Sequence, residues 1–356
     1  MNLTFTEKVA FDLRSLYSRH GYSRYRMSKF EEYDLYARNK DFLISDRVIT
    51  FTDNGGKLLA LKPDVTLSIV KNSTDDITAQ QKLYYNENVY RTDRNTGAFR
   101  EIGQVGLECL GDIDDVCVCE ILSLAAQSLL SISKNAVLTV SHLGVLSAAL
   151  DGAGIPAGEK AAAMEYIRQK NTHELATLCR RCGMADDRID ALRQAVSTVG
   201  SPETAIPKVC CLLDGFADTA ALTRLLGVTD ALAEQHKAIF RFDLSAVDDL
   251  RYYNGIILKG FVEGIPDSVL SGGQYDRLME KMHRKSRAMG FAVYMDALEM
   301  LEAPAAYDVD TVLLYSETDP LPAVRAKAEA LIQEGKTVLT QRQMPVNIRC
   351  KEVLNM

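Results

Sequence analysis

Residues 82–109 read KLYYNENVYRTDRNTGAFREIGQVGLEC, and this stretch does most to decide the fold. Its two ends, Lys82–Tyr90 and Glu101–Cys109, predict a pair of β-strands. The middle, Arg91–Arg100, is polar and contains Gly97, which is typical of a long hairpin loop. The stretch therefore predicts an antiparallel sheet that is built from long hairpins.

A second hairpin is predicted immediately upstream. Val48–Thr52 and Lys57–Leu61 flank the turn sequence Asp53-Asn-Gly-Gly56. We expect Asn-Gly to supply the positive φ angles of a type I′ turn, since that dipeptide is the strongest short hairpin signal. This hairpin extends the antiparallel pattern toward the N-terminus.

Helical spacing surrounds the strands. The capping box Thr4-Phe-Thr-Glu7 predicts a helix that Gly21 closes, and Asp115 is expected to cap another through about Ser131. Residues 144–237 are helical in pattern throughout, so we interpret them as a helical insertion. Further strands are predicted at Ala136–Val140, Ile239–Ser245, Tyr252–Val262 and Ala288–Val293, with Ser271–Gly273 as a turn.

The C-terminal residues 307–356 form a separate short segment after a linker near Pro304. A strand at Asp308–Tyr315, a helix at Leu321–Glu334 and a strand at Thr337–Thr340 predict one β-α-β unit, too small for a full α/β domain. The fold class is therefore α+β. We expect a core at residues 1–302, which contains the insertion, and an α/β segment at 307–356.

The composition excludes several classes of protein. Apolar residues make up 47% and charged residues 25%, an ordinary globular balance. The formal net charge of −7 argues against nucleic acid as the main partner. No stretch approaches the roughly 18 apolar residues that a membrane span needs, and no signal peptide is recognisable. We therefore expect a cytoplasmic protein with reduced thiols and no membrane partner.

One cysteine pair has the spacing that zinc and redox sites use. Cys179-Arg-Arg-Cys182 is a CxxC sequence. The sequence has neither a second pair at zinc-ribbon spacing nor a following histidine pair. We therefore expect a structural or surface role for this pair, and we predict neither a metal site nor a cofactor.

Five segments, taken in order, resemble the class II aminoacyl-tRNA synthetase core, specifically that of histidyl-tRNA synthetase and its paralogues. The resemblance covers about residues 1–301 and rests on the joint order and spacing of motifs that are individually weak. It implies an antiparallel sheet flanked by helices. The segments are Tyr22–Tyr36 (motif 1), Leu61–Thr66 (LKPDVT), Val89–Arg94 with Gly106–Glu108 (motif 2), Leu250–Gly255 with Gly272–Asp276 (the histidine-specific signatures) and Met289–Leu298 (motif 3).

The resemblance implies a pocket that binds histidine. An amino acid presents an ammonium group, which needs a carboxylate partner, and a carboxylate, which needs donors. Asp64 matches the family's ammonium-binding position, with Thr66 beside it. Gln104 and Arg91 match the positions that hold the substrate carboxylate.

The imidazole ring needs an acceptor on one side and a hydroxyl on the other. Glu108, Tyr253 and Tyr275 match the family's imidazole-reading positions. Two plainer interpretations stay open at this stage. Glu108 could be an ordinary edge-strand carboxylate, and the pair Tyr252-Tyr253 could be simple strand packing, because tyrosine favours strands.

The resemblance also shows departures at the positions that serve ATP. Adenylation needs positive charge around the triphosphate. Asp248 stands where the family has an arginine, and Ala297 stands at the phosphate-binding arginine of motif 3. Tyr294 replaces a small glycine near the nucleotide floor, while Arg91 is kept. Removal of one such group commonly costs about 10²–10³ in rate, so we expect no adenylation and assign no catalytic residue.

The C-terminal segment resembles only the first β-α-β unit of a synthetase anticodon-binding domain, so we do not expect tRNA as a partner. The whole pattern resembles the regulatory subunits of short-form ATP phosphoribosyltransferase. That resemblance implies a homodimer through the core, a hetero-octamer with the short catalytic subunit, and feedback inhibition by histidine. The alternatives are an active histidyl-tRNA synthetase and another synthetase-derived amino-acid ligase or sensor.

Overall fold

The structure is a computed structural model that describes residues 3–39, 48–93, 96–247, 252–301 and 306–356. The chain divides into two compact units, Met1–Leu301 and Glu302–Met356. The linker predicted near Pro304 lies outside the described residues, and the assignment of the second unit as an anticodon-binding-like segment stays a prediction.

Strands and helices alternate irregularly along the described ranges. The strands are β1 Ser23–Arg24, β2 Phe30–Glu32, β3 Thr50–Thr52, β4 Leu58–Leu61, β5 Gln80–Thr92, β6 Phe99–Gly111, β7 Ala136–His142, β8 Val199–Gly200, β9 Phe240–Asp243, β10 Ile256–Val262, β11 Leu270–Gln274, β12 Arg287–Tyr294, β13 Val309–Leu314, β14 Val338–Gln341 and β15 Cys350–Asn355. The helices are α1 Phe5–Arg19, α2 Tyr33–Arg38, α3 Thr66–Asn72, α4 Asp115–Ile132, α5 Leu143–Gly152, α6 Lys160–Arg168, α7 Thr172–Arg181, α8 Asp186–Ser197, α9 Pro202–Leu213, α10 Ala220–Asp230, α11 Glu234–Lys237, α12 Asp276–Lys281, α13 Met295–Leu298 and α14 Leu321–Gln333.

The first unit is built on one large mixed sheet. Within the described ranges its strand order is β1-β5-β6-β12-β11-β10-β7-β9-β8, and the pairs from β5 to β7 are antiparallel. The β5–β6 hairpin is longer than predicted, because pairing continues from Gln80↔Gly111 to Thr92↔Phe99. The class II synthetase-like fold class predicted from the sequence fits this arrangement.

Helices α1 and α4 cover one face of the sheet. The capping box at Thr4 and Glu7 is formed, which confirms the predicted start of α1. Asp114, not Asp115, caps α4, because its carboxylate accepts from the backbone N–H of Cys117. Contrary to the sequence expectation, α4 is long and apolar enough to cross a membrane, with a mean hydropathy of 1.6 over 18 residues. More than half of it is buried inside this unit, so it is a core helix here.

The predicted helical insertion corresponds to helices α5–α11. One strand interrupts it, contrary to expectation: Val199–Gly200 pairs antiparallel with β9 at the far edge of the main sheet. This two-residue strand anchors the insertion to the same sheet that carries the β5–β6 hairpin. Of the CxxC pair, Cys179 is buried and Cys182 is half-buried, which fits a structural role.

A second, small sheet lies beside the main one, with strand order β2-β4-β3. The predicted turn type between β3 and β4 is wrong. Among Asn54, Gly55 and Gly56 only Gly56 has a positive φ, 81°, and its N–H donates to the carbonyl of Asp53. The Asp53 carboxylate accepts from the N–H groups of Gly55 and Lys57, and this capping favours a three-residue loop over a type I′ turn.

Two predicted boundaries near β10 and β11 are also wrong. Ser271–Gly273 is not a turn but the middle of β11, where a Cβ on Gly272 would overlap the backbone of β12. Glycine therefore serves close strand approach here, not chain reversal. Tyr252 and Tyr253 precede β10, which begins at Ile256, so simple strand packing does not explain them.

The second unit is a three-stranded parallel sheet in the order β14-β13-β15. The predicted β-α-β unit is present as β13, α14 and β14. The sequence analysis missed β15, whose residues alternate between half-buried and exposed. Val312 and Leu313 of β13 and Val324, Ala328 and Leu331 of α14 are the buried apolar residues of this unit.

Candidate ligand-binding pocket

A pocket of about 290 Å³ opens on the main sheet where β6, β12 and β11 lie side by side. Its size is close to the lower end of the roughly 300–1,000 Å³ that is usual for small-molecule sites. The structure brings all seven predicted histidine-binding residues to its wall. They are Asp64, Thr66, Arg91, Gln104, Glu108, Tyr253 and Tyr275.

Glu108 lies at the closed end of the pocket with both carboxylate oxygens held. The Tyr275 hydroxyl donates to Oε2 at 2.7 Å, and the Thr66 hydroxyl donates to Oε1 at 2.8 Å. β6 is an interior strand between β5 and β12, so the interpretation of Glu108 as an edge-strand carboxylate is wrong. Its neighbour across the pair is Gly290, where a Cβ would overlap Oε2 of Glu108.

Burial dominates the electrostatics of this carboxylate, whose residue is only 3% exposed. Desolvation raises the pKa of Glu108 to about 8, against the opposing effect of the two hydroxyl donors, and the nearby charge of Asp64 adds to the rise. A buried carboxyl group with such a pKa is stabilised in its charged form by a ligand that is positively charged or donates a hydrogen bond.

Asp64 is the second buried acid of the pocket. It precedes α3, and its Oδ1 accepts from the backbone N–H of Leu67 at 2.9 Å in the first turn of that helix. Desolvation raises the pKa of this carboxyl, while the Leu67 N–H and the charge of Arg91 lower it. Asp64 and Thr66 thus both lie at the start of α3, where Asp64 accepts from Leu67 and Thr66 donates to Glu108.

Gln104 and Arg91 supply the donors. Gln104 lies four residues before Glu108 on the same face of β6 and is 5% exposed. Its side chain lines the pocket, where the amide can donate to a ligand. Arg91 lies at the end of β5, and its Nε–H donates to the carbonyl of Pro63 at 3.0 Å. This bond fixes the plane of the guanidinium group.

Three tyrosines pack around the acids. The rings of Tyr252 and Tyr253 lie 4.6 Å apart, and those of Tyr252 and Tyr275 lie 5.9 Å apart. Burial and the charge of Glu108 raise the pKa of Tyr275 well above its usual value, so its hydroxyl stays a donor. These rings form an apolar wall with polar edges, which suits a flat polar heterocycle.

The opposite end of the pocket is different. There the Tyr294 hydroxyl and the Ser271 hydroxyl are joined at 2.6 Å, and Ala292, which pairs with Ser271, also lines the pocket. Ala297 lies in α13 against the hydrophobic core and does not line the pocket. Asp248 lies outside the described residues.

The wall residues that the sequence analysis missed include the polar residues Tyr85, Lys259, Ser268 and Ser271. The alternating pattern of β5 could have indicated Tyr85, which pairs with Gly106 and lies on the same sheet face as Glu108. Lys259 and Ser271 are paired directly across β10 and β11, but only the strand register reveals this. Among the residues that the structure describes, no group of three or more His, Cys, Asp or Glu side chains could hold a metal ion.

The chain is similar to proteins of known family. It is 26% identical over 300 residues, 83% of this chain and 74% of the relative, to the ATP phosphoribosyltransferase regulatory subunit of Oceanobacillus iheyensis. A solved structure described as an ATP phosphoribosyltransferase regulatory subunit/histidyl-tRNA synthetase from Bacillus halodurans is 23% identical. It has a TM-score of 0.80 and covers 99% of this chain and 93% of its own.

A chain from the ATP phosphoribosyltransferase complex of Thermotoga maritima has the same fold. It is 18% identical, has a TM-score of 0.64 and covers 81% of this chain and 96% of its own. The sequence model of histidyl-tRNA synthetases matches residues 2–298, which is most of the chain. This chain therefore belongs to the histidyl-tRNA synthetase family.

Proposed function

We propose that this chain is the non-catalytic regulatory subunit of ATP phosphoribosyltransferase in histidine biosynthesis, and that it works in the cytoplasm with a short catalytic subunit. The relative from Oceanobacillus iheyensis carries that name. The structure from Thermotoga maritima is a complex of that transferase, in which a chain of this fold is one component.

The ligand of the pocket is histidine, and the hydroxyl-held carboxylate of Glu108 at the closed end is the observation that carries this proposal. Glu108 accepts from one imidazole N–H, and Tyr253 and Tyr275 enclose the ring. Asp64 binds the ammonium group beside Thr66. Gln104 and Arg91 donate to the carboxylate, so each polar group of the amino acid has a buried partner.

The chain has no adenylation activity of its own and does not charge tRNA. Transfer at the α-phosphorus needs positive charge around the triphosphate. The motif 3 position is the uncharged Ala297, which packs against the core, and the bulky Tyr294 lines the pocket. Of the pocket cations, Arg91 and Lys259 remain, and Lys259 donates to the carbonyl of Val247 at 3.2 Å.

The core forms a homodimer through the outer face of the small sheet. Strand register places Phe30, Phe51, Leu59 and Leu61 on that face, and the rings of Phe30 and Phe51 lie 5.3 Å apart. Phe30 is 50% exposed, and an exposed aromatic pair on a sheet is typical of an interface. Such dimers join dimers of the catalytic subunit in a hetero-octamer.

The test is phosphoribosyl-ATP formation by a short catalytic subunit, with and without this chain and with and without histidine. We expect this chain to raise the rate and histidine to lower it again. Glu108→Gln should weaken histidine binding, measured by calorimetry, about 10- to 100-fold, because hydrogen bonds to charged groups contribute about 1.5–3 kcal/mol.

Glu101→Gln is the matched control, since Glu101 is an exposed carboxylate on the same strand that accepts from Asn88 and Tyr90 and lies outside the pocket lining. It should leave histidine affinity unchanged. A chain that forms no complex and changes no rate would contradict the regulatory role. Histidine-dependent ATP–pyrophosphate exchange would instead identify an active histidyl-tRNA synthetase, and failure to bind histidine would favour a different synthetase-derived ligase or sensor.

A further inference from the structure

One helix of the insertion ends in a way that costs free energy. Lys170 follows α6 with a φ of 54°, in the left-handed region that favours glycine. The helices α1, α5, α7 and α14 are followed by glycines in this region, Gly21, Gly154, Gly183 and Gly335. A side chain at this position is unfavourable by about 1–2 kcal/mol, which indicates that the lysine side chain has a use.

The Lys170 side chain reaches the main sheet. Its Nζ lies 3.0 Å from Oδ2 of Asp243, the last residue of β9. Asp243 is 8% exposed, and its other oxygen accepts from the N–H and the hydroxyl of Ser245 at 2.8 and 2.6 Å. Both oxygens of this buried carboxylate are therefore bound, one to the insertion and one to the segment that follows β9.

That segment continues to the pocket. The N–H of Val247 donates to the carbonyl of Ser245 at 2.8 Å, and the carbonyl of Val247 accepts from Nζ of Lys259 at 3.2 Å. Lys259 lines the pocket and is paired with Ser271, another wall residue. Leu244, Ser245 and Val247 are all buried, so the segment has little room to adjust independently.

From this continuous series of contacts we infer that Lys170 and Asp243 are positioning residues for the histidine pocket. The ion pair fixes the segment after β9 and, through it, the wall that carries Lys259. The insertion is thereby coupled to ligand affinity. This inference rests on the proposed function, because histidine is the ligand whose affinity reports the position of the wall.

Lys170→Gly separates a positioning role from a merely structural one. It removes the ion pair but relieves the unfavourable backbone conformation, so the melting temperature should stay the same or rise. The dissociation constant for L-histidine, measured by calorimetry, should nevertheless rise about three- to thirtyfold, the usual range for residues that couple to a site from a distance. Lys170→Arg should restore most of the affinity.

Arg193→Met is the control, since Arg193 forms an exposed ion pair with Asp190 within one helix of the same insertion. It should leave affinity unchanged. Asp243→Asn should weaken binding, and adding Lys170→Gly to it should cost little more, since the two residues act as one unit. Wild-type histidine affinity in Lys170→Gly would overturn the inference alone, whereas a wild-type chain that binds no histidine would overturn the proposed function and the inference together.

Discussion

The two ends of the pocket are built from different kinds of side chain. At the closed end, Glu108 is buried and receives two hydroxyl hydrogen bonds, and Asp64 is fixed at a helix start. At the other end, Tyr294 and Ser271 bond each other, and Ala297 faces the core. The end that suits an amino acid is preorganised for a polar ligand, whereas the residue that the family resemblance assigns to phosphate binding at the other end is the uncharged Ala297. If the proposed function holds, ligand binding and adenylation are separable within one synthetase-like site.

The largest expected effect concerns the closed end and pH. The pKa of Glu108 is raised from 4.5 to about 8, so the folded protein keeps a proton that the unfolded chain releases. Stability from this group is therefore present below pH 4.5 and is lost as the pH rises through about 8, by at most about 5 kcal/mol. Glu108→Gln cannot titrate.

The measurement is the free energy of unfolding from pH 4 to 9, without histidine, for the wild type and Glu108→Gln. The two curves should diverge between pH 4.5 and 8, with the wild type losing stability relative to the variant. Curves that run parallel across this range would show that the carboxylate is not held in its neutral form.

A smaller effect is expected when the space beside Glu108 is filled. A Cβ on Gly290 would overlap Oε2 of Glu108 and the carbonyl of Leu107, so Gly290→Ala should destabilise the protein by about 1–3 kcal/mol. Histidine binding should fall below detection in calorimetry. Gly227→Ala, in α10 with no heavy atom within 4 Å of the added methyl group, should instead be neutral or stabilising. Equal behaviour of the two variants would contradict close packing at the carboxylate.

The smallest effect is expected at the other end. Tyr294→Phe removes the bond to Ser271 and should cost about 1 kcal/mol of stability, while histidine affinity stays within about twofold. Tyr275→Phe removes one bond of similar length, but at Glu108, and should weaken histidine binding several-fold. Calorimetry should measure the histidine affinity of both variants. Equal losses of affinity would mean that both ends of the pocket contact the ligand.

Much of the site could be predicted because its residues lie in ordered motifs. Asp64 and Thr66 are two residues apart, and Gln104 and Glu108 share one strand face, so local spacing alone brings each pair together. The roles assigned to these residues stay predictions. Lys259 and Ser271 were missed because their proximity depends on the pairing of β10 with β11, which a single sequence does not specify.

The errors in the fold have related causes. Ser271–Gly273 was predicted as a turn because glycine is usually read as chain reversal, yet Gly272 serves close approach to β12. The turn after β3 was predicted from Asn-Gly, while the Asp53 carboxylate selects another loop by bonding two N–H groups. β15 was missed because its alternating residues are weakly apolar and it pairs only with β13, far upstream.

The apolar character of α4 has a consequence for synthesis of the chain. The helix packs against α1, which is made before it, but also against β10 and β12, and β12 begins only at Arg287. During translation a segment with the hydropathy of a membrane span therefore stays partly uncovered until β10 and β12 have been synthesised. We expect the nascent chain to depend on chaperones that hold this helix, and the native sheet to release it from them.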